Sequence, residues 1–132
     1  RHYTIYDPFL VLEGKRLPAP SRDREREYVT GYEKKSGGIQ RFKLGLHGAK
    51  LNVAAMIAYV QDESPSHWFA AINGWIAELM AASSAPGWGP DECLEGYMAD
   101  TVNRTATCCS THSRVPTESG GTLRLHHVWV EM

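Results

Sequence analysis

Apolar and polar residues alternate over most of the first 46 positions, and a period of two predicts half-buried β-strands. Tyr3 and Ile5 begin this pattern, which continues into the apolar residues 9–12. Residues 28–32 and 39–46 alternate in the same way on either side of a turn-forming Lys-Lys-Ser-Gly-Gly stretch, which predicts a β-hairpin. The N-terminal third of the chain is therefore expected to supply most of a sheet.

The middle of the chain changes to the spacing of helices. Residues 50–61 are apolar nearly all round, which predicts a deeply buried helix. The stretch 63–83 gives the clearest helical pattern, with Ser64 as the N-cap and Pro65 at the first helical position. The residues expected to face the core are Trp68, Ile72, Trp75, Ile76 and Leu79. Beside them runs a row of small residues, which predicts close approach by another element: Ala70, Gly74, Ala77 and Ala81.

A third helix is predicted after the Pro/Gly-rich stretch that ends near residue 90, because apolar residues from Leu94 to Val102 recur at helical spacing. Helical propensity falls away after it. The period of two returns over residues 123–130, which predicts a strand that carries His127 and Trp129 on one apolar face.

Strands, then helices, then one returning strand predict an α+β fold in a single domain covering residues 1–132. The final strand is expected to join the N-terminal strands in a mostly antiparallel sheet. About three helices are expected to pack on one face of that sheet.

Length and composition set bounds on function. With 132 residues, 42% of them hydrophobic, the chain can bury a core of its own. The formal net charge is −1, so binding to nucleic acid or to anionic membranes is not favoured. No apolar run is long enough to cross a bilayer. Three cysteines, two of them adjacent, do not fit a disulfide framework and predict free thiols in a reducing compartment, the cytoplasm.

The stretch RTATCCSTHS, residues 104–113, is the first candidate for chemistry. Cys109 and His112 are residue types that bind metals or form nucleophile–base pairs. Zinc sites usually combine two close pairs of ligands, and only one such pair is present, so no metal and no cofactor are expected. A thiol nucleophile assembled from Cys109 with His112 or His127 is the alternative.

Taken as the end of a helix, the same stretch is expected to point Cys109 into the core and to leave Cys108 more exposed. His127 is expected on the apolar face of the last strand. Desolvation there should lower the pKa of this histidine unless a carboxylate pairs with it.

The loop from Gly45 to Lys50 is the second candidate, expected to join a strand to a helix. Free N–H groups at a helix start, with a lysine nearby, can hold a phosphate or a carboxylate. The spacing also resembles the Gly-x-x-Gly loop of KH-type RNA-binding modules. That resemblance implies contacts with RNA through His47, Gly48 and Lys50.

Trp88 is the third candidate, because it lies between two glycines and just before a proline. An indole ring in such a loop is poorly accommodated by water. It either folds back on the core as a lid or anchors a partner.

These features favour a small intracellular protein-binding module over an enzyme, in the manner of a toxin antagonist, a phage-type factor or an adaptor. The alternative is a small hydrolase or nuclease that uses His112, His126 or His127 with a neighbouring acid or thiol. The third hypothesis is RNA or anion binding through residues 45–50. Histidines that converge in one cleft would favour the enzyme, whereas scattered histidines and an apolar patch around Trp88 would favour the binding module.

Overall fold

Five strands form one mixed sheet in this computed structural model, which describes residue 5 and residues 8–82, 87–115 and 121–132. The strands are β1 (Leu12–Leu17), β2 (Val53–Val60), β3 (Glu95–Asp100), β4 (Thr105–Ser113) and β5 (Thr122–Glu131). They lie in the order β1-β2-β5-β4-β3. Strands β1, β2 and β5 are parallel, and β4 is antiparallel to both of its neighbours. The predicted α+β class is confirmed, but the prediction of a mostly antiparallel sheet is wrong.

The described residues contain two α-helices, α1 (Gly38–Lys43) and α2 (Pro65–Ala81), where three were predicted. Two short 3-10 turns add to them, at Arg22–Arg24 and Pro90–Glu92. The strand predicted around Tyr3 lies outside the described residues, and the first strand begins only at Leu12.

The predicted helix over residues 50–61 is the strand β2. Its position explains the error, because β2 lies between two parallel neighbours in the sheet. Its open-face residues are apolar too, although Val53 and Tyr59 among them are exposed, and such a sequence cannot be told from a buried helix by periodicity alone. Ala54, Met56, Ala58 and Val60 are buried on one side, while Ala55 and Ile57 are half-buried on the other.

The predicted hairpin over residues 28–46 is also wrong. Its second half forms α1, where Ile39 and Phe42 are three residues apart and both buried. The Gln40 side chain accepts a hydrogen bond from the amide of Gly37 at 3.2 Å, which satisfies an N–H group just before the helix. The apolar spacing of so short a helix also fits a strand, which is why the pattern misleads.

Helix α2 confirms the strongest pattern in the sequence. Ser64 caps it by accepting a hydrogen bond from the amide of His67 at 3.1 Å. Four of the five predicted core residues are buried and Leu79 packs against the same core. The predicted close approach at the small residues is wrong, because Gly74 is exposed and a Cβ built there would meet nothing within 4 Å.

The predicted third helix is the hairpin of β3 and β4. Only the 3-10 turn Pro90–Glu92 is helical in this region. Asp100 shapes the turn between the strands, since its side chain accepts hydrogen bonds from the amides of Val102 and Asn103. The alternation of threonine with buried residues along β4 is typical of a strand with one buried face.

The sheet has a core face and an open face. The core face carries the buried residues of each strand, which form one cluster with the inward side of α2. The open face carries exposed or half-buried residues, among them Tyr59, Thr107, Cys109, Arg124 and His126.

Candidate functional site

The two adjacent cysteines lie on opposite faces of the sheet. Cys108 is buried on the core face, and burial raises the pKa of its thiol to about 12. Cys109 is half-buried on the open face, where its sulfur accepts a hydrogen bond from Arg124 Nη2 at 3.1 Å and His126 is its cross-strand partner. The prediction of an inward Cys109 and a more exposed Cys108 is therefore wrong. A strand reverses the side-chain direction at each residue, so Cys109 is also turned away from His112.

His112 and His127 do come together, and Ser110 joins them. The Ser110 Oγ atom lies 2.7 Å from His127 Nε2 and 2.7 Å from His112 Nε2. All three residues have an exposed fraction of 0%. Ser110 is not among the predicted site residues, because it shares a face with His112 only when residues 105–113 form a strand.

The hydrogen bonds continue beyond His127. Its Nδ1 atom lies 2.5 Å from the hydroxyl oxygen of Tyr28, and this oxygen accepts a hydrogen bond from Trp129 Nε1 at 3.0 Å. Tyr28 is separated from His127 by 99 residues, and no local pattern in the sequence signals that contact.

At the other end, His112 Nδ1 lies 3.0 Å from Glu92 Oε1. The same carboxylate forms a buried ion pair with Lys43 and accepts a hydrogen bond from the amide of Gly89 at 2.6 Å. Lys43 Nζ also donates to the carbonyl oxygens of Gly87 at 2.7 Å and Ser113 at 2.8 Å. All three donors of this ammonium group are thus used, which is what allows a charged lysine to be buried.

We call the connected side chains the polar chain: Trp129, Tyr28, His127, Ser110, His112, Glu92 and Lys43. Its proton positions follow from its ends. The indole N–H of Trp129 can only donate, so the Tyr28 oxygen accepts it and the Tyr28 hydroxyl donates to His127 Nδ1. His127 is then protonated on Nε2, from which it donates to Ser110 Oγ.

The remaining links follow in the same direction. The Ser110 hydroxyl donates to His112 Nε2, and His112 therefore carries its proton on Nδ1. That proton is donated to the Glu92 carboxylate, which can only accept while it is ionised. Both histidines are neutral in this arrangement, and every hydrogen bond points from Trp129 towards Glu92.

The electrostatic environment agrees with neutral histidines. Burial lowers the pKa of His127 to about 3, and the neighbouring His112 and His126 add to the effect. Burial also lowers the pKa of His112, although Glu92 opposes this. For Glu92, burial raises the pKa, but the hydrogen bonds from His112, Lys43 and Gly89 outweigh it and the net pKa is lowered. The acid therefore stays ionised beside Lys43.

The order Ser110, His112, Glu92 is that of a serine nucleophile, its base and an orienting acid. Ser110 is nevertheless closed to substrate. The bonds from Glu131 N to Arg104 O and from Arg114 N to Gly121 O set the alternation of the β4–β5 ladder. Ser110 and its partner Leu125 consequently form a hydrogen-bonded pair, which commits the Ser110 amide to the sheet and leaves it unable to stabilise an oxyanion.

Trp88 covers the acidic end of the polar chain. Its ring lies 4.7 Å from Lys43 Nζ and meets the ring of His112 edge-on at 6.1 Å between centroids. The indole is half-buried and packs against the core cluster. Its outer side borders a shallow groove lined by residues 87–92 and by Thr111, Ser113 and Thr122.

The loop at residues 45–50 follows α1 and precedes β2, so the prediction that it joins a strand to a helix is wrong. No helix begins after the loop, and the expected ring of free helical N–H groups does not form there. Gly45 and Gly48 adopt left-handed φ angles of 70° and 61°. Buried Arg114 fixes the loop by donating to the carbonyl oxygen of Gly48 at 2.9 Å.

This loop lies beside β1. His47 Nε2 is 3.4 Å from the carbonyl oxygen of Leu12 and 3.4 Å from Glu13 Oε2. Lys50 is exposed at the end of the loop. Of the four residues predicted to bind a partner, His47 and Gly48 are thus near one edge of the sheet, whereas Trp88 covers the polar chain.

That edge is the outer side of β1. The carbonyl oxygens of Val11 and Leu17 accept hydrogen bonds from the β2 side, from Ala55 N and Gln61 N. In a parallel ladder the direction alternates, so the N–H and C=O groups of the residues at positions 12, 14 and 16 point away from β2. Within the described part of the chain, only the Leu12 carbonyl among these groups has a partner, His47.

No group of three His, Cys, Asp or Glu side chains in the described ranges could hold a metal ion. No helix among those residues is both long and apolar enough to cross a membrane. Comparisons with protein-family models, with curated protein sequences and with solved structures found no match.

Proposed function

We propose that this chain is a protein-binding module that takes an extended segment of its partner along the outer edge of β1. The observation that carries the proposal is the row of backbone groups at Leu12, Gly14 and Arg16 that point away from the sheet. An edge of this kind is a template for a further strand, because main-chain hydrogen bonds supply affinity and flanking side chains supply selectivity.

The opposite edge of the sheet is less suited to the same role. Strand β3 has a register shift between Glu95 and Met98, and Gly96 within it has a φ of 67°. A bulge bends an edge strand away from regular pairing and is a common means of blocking strand addition. Strand β1 pairs with β2 without interruption from Leu12 to Leu17.

The surroundings of β1 suit a peptide. Gly14 has open space where a side chain would be, so no residue of this chain stands over the middle of the edge. Leu12 and Arg16 are exposed on the open face, one apolar and one cationic, and can contact alternate side chains of the added strand. His47 lies next to the start of the edge.

The test is a selection from a random-peptide display library on the purified protein, with two variants at one position. Gly14→Pro removes an outward N–H group without touching the bonds to β2, and Gly14→Ala is the matched control because its Cβ meets nothing. We expect the selected peptides to bind wild type and Gly14→Ala alike and Gly14→Pro about tenfold more weakly or worse. Thermal unfolding verifies that each variant is folded. Peptides that bind Gly14→Pro as tightly as wild type would refute the proposal.

A small hydrolase is the second candidate, because Ser110, His112 and Glu92 have the hydrogen-bond order of a catalytic triad. The burial of Ser110 counts against it. An alkyl fluorophosphonate, which attaches covalently to activated serines, distinguishes the two candidates. We expect no adduct on the native protein. An adduct that is lost in Ser110→Ala would establish the hydrolase.

RNA or anion binding through residues 45–50 is not favoured, because the helix start on which it depended is absent from that part of the structure. All three cysteines are free thiols, which supports the proposal of a reducing compartment, the cytoplasm. Toxin antagonists, phage-type factors and adaptors remain the classes of binding module proposed.

A further inference from the structure

We infer that the partner of the β1 edge is a second copy of this chain, paired antiparallel about Gly14 to form a continuous ten-stranded sheet. This inference rests on the proposed use of the β1 edge. It adds the identity of the partner, the direction of the added strand and its register.

The backbone pattern permits this pairing. Centred on Gly14, an antiparallel pair aligns Gly14 with Gly14 of the second copy and Leu12 with its Arg16. All these residues have their N–H and C=O groups on the outer side of β1. They would thus occupy the hydrogen-bonded positions of the new ladder, in which directly opposite residues exchange both bonds.

The charges select this register. Centring on Gly14 places Glu13 opposite Lys15 of the second copy, twice by symmetry. Within one copy Lys15 Nζ lies 3.4 Å from Glu13 Oε1 and 3.2 Å from Glu27 Oε1, and the Lys15 and Glu13 side chains are only 9% and 12% exposed, so the pairs between copies would extend an ion-pair cluster that each copy already has. Opposite charges directly across a strand pair stabilise it, and like charges destabilise it.

Neighbouring registers place like charges together. A shift of two residues in one direction aligns Glu13 with Glu13, and a shift in the other direction aligns Lys15 with Lys15. The second shift also brings Pro18, which has no N–H group, opposite Leu12. Of these three registers, the one centred on Gly14 places opposite charges across the strand pair.

The interface is small. Stable complexes usually bury about 1,600 Å² in total, and one pair of six-residue strands provides less than that. A weak dimer that depends on concentration is therefore expected.

Sedimentation equilibrium over a range of protein concentrations tests the inference. We expect wild type and Gly14→Ala to dimerise alike. Gly14→Pro should raise the dimer dissociation constant about tenfold or more, because two symmetric hydrogen bonds are lost. A wild-type protein that stays monomeric at high concentration, or a Gly14→Pro variant that dimerises equally well, would overturn the inference.

The register has its own test. Glu13→Lys should weaken the dimer, because it creates two like-charge pairs with Lys15, and Glu13→Lys/Lys15→Glu should recover it. Far-ultraviolet circular dichroism verifies the fold of both variants. If the double variant dimerises no better than Glu13→Lys, the Gly14-centred register is wrong. A monomeric protein that still binds selected peptides through Gly14 would remove the self-pairing and leave the proposed function standing.

Discussion

Single side chains decide the protonation of the core. Trp129 can only donate and the Glu92 carboxylate can only accept, so the groups between them have one arrangement of protons. Each histidine is held in one neutral tautomer by its two neighbours. The pKa of His127 is lowered to about 3 because its charged form would be buried without a counter-charge.

Acid should therefore weaken the fold through these histidines. Because the pKa of His127 is depressed in the folded state, the unfolded state binds the extra proton, and stability is lost as the pH falls from about 6.5 towards 3. Between pH 6.5 and 5 we expect a loss of about 2 kcal/mol from His127 alone. Urea unfolding at a series of pH values measures this slope.

Two variants test whether His127 causes this pH dependence of the free energy of unfolding. His127→Gln keeps an acceptor for Tyr28 and a donor for Ser110 but does not titrate, so it should flatten the pH dependence. His67→Gln, which removes a half-exposed imidazole from α2, is the control for the substitution itself. Equal slopes for wild type and His127→Gln would show that His127 does not act as described.

At the scale of single elements, the sequence predicts those helices and strands whose signals lie within their own residues. Helix α2 has a cap, a first-turn proline and a continuous apolar stripe, and strand β5 alternates cleanly. Strand β2 resembles a buried helix in sequence because its open-face residues are apolar as well as its core-face residues, so the apolar pattern has no period of two even though its burial alternates. The polar chain could not be predicted from the sequence, since the contact of Tyr28 with His127 joins distant segments and the role of Ser110 depends on β4 being a strand.

The exposed glycine in α2 leads to a further prediction. Gly74 is in the middle of the helix, exposed, with open space around its missing side chain. Gly74→Ala should stabilise the protein by up to about 1 kcal/mol, because alanine loses less backbone entropy in a helix. Ala77→Gly, one turn further along the same exposed row, should destabilise it by a similar amount. A destabilising Gly74→Ala, measured by urea unfolding, would mean that another element packs on this row.

For the molecule as a whole, the polar chain joins the two halves of the sequence. Tyr28 and Lys43 come from the N-terminal segment between β1 and β2, while the other members come from the turn before β3 and from β4 and β5. Satisfying so many buried polar groups at once requires all of these segments to be in place.

This joining has a consequence for how β4 finds its alignment with β5. The apolar residues alone would tolerate a slip of two positions, since Ala106, Cys108, Leu123 and Leu125 would still be directed inward. The slip would move Ser110 and His112 about 7 Å along the strand. Ser110 would lose its contact with His127, and His112 would lose its contact with Glu92. The polar chain thus selects one register of β4 against β5, because the neighbouring registers would leave buried polar atoms without hydrogen-bond partners.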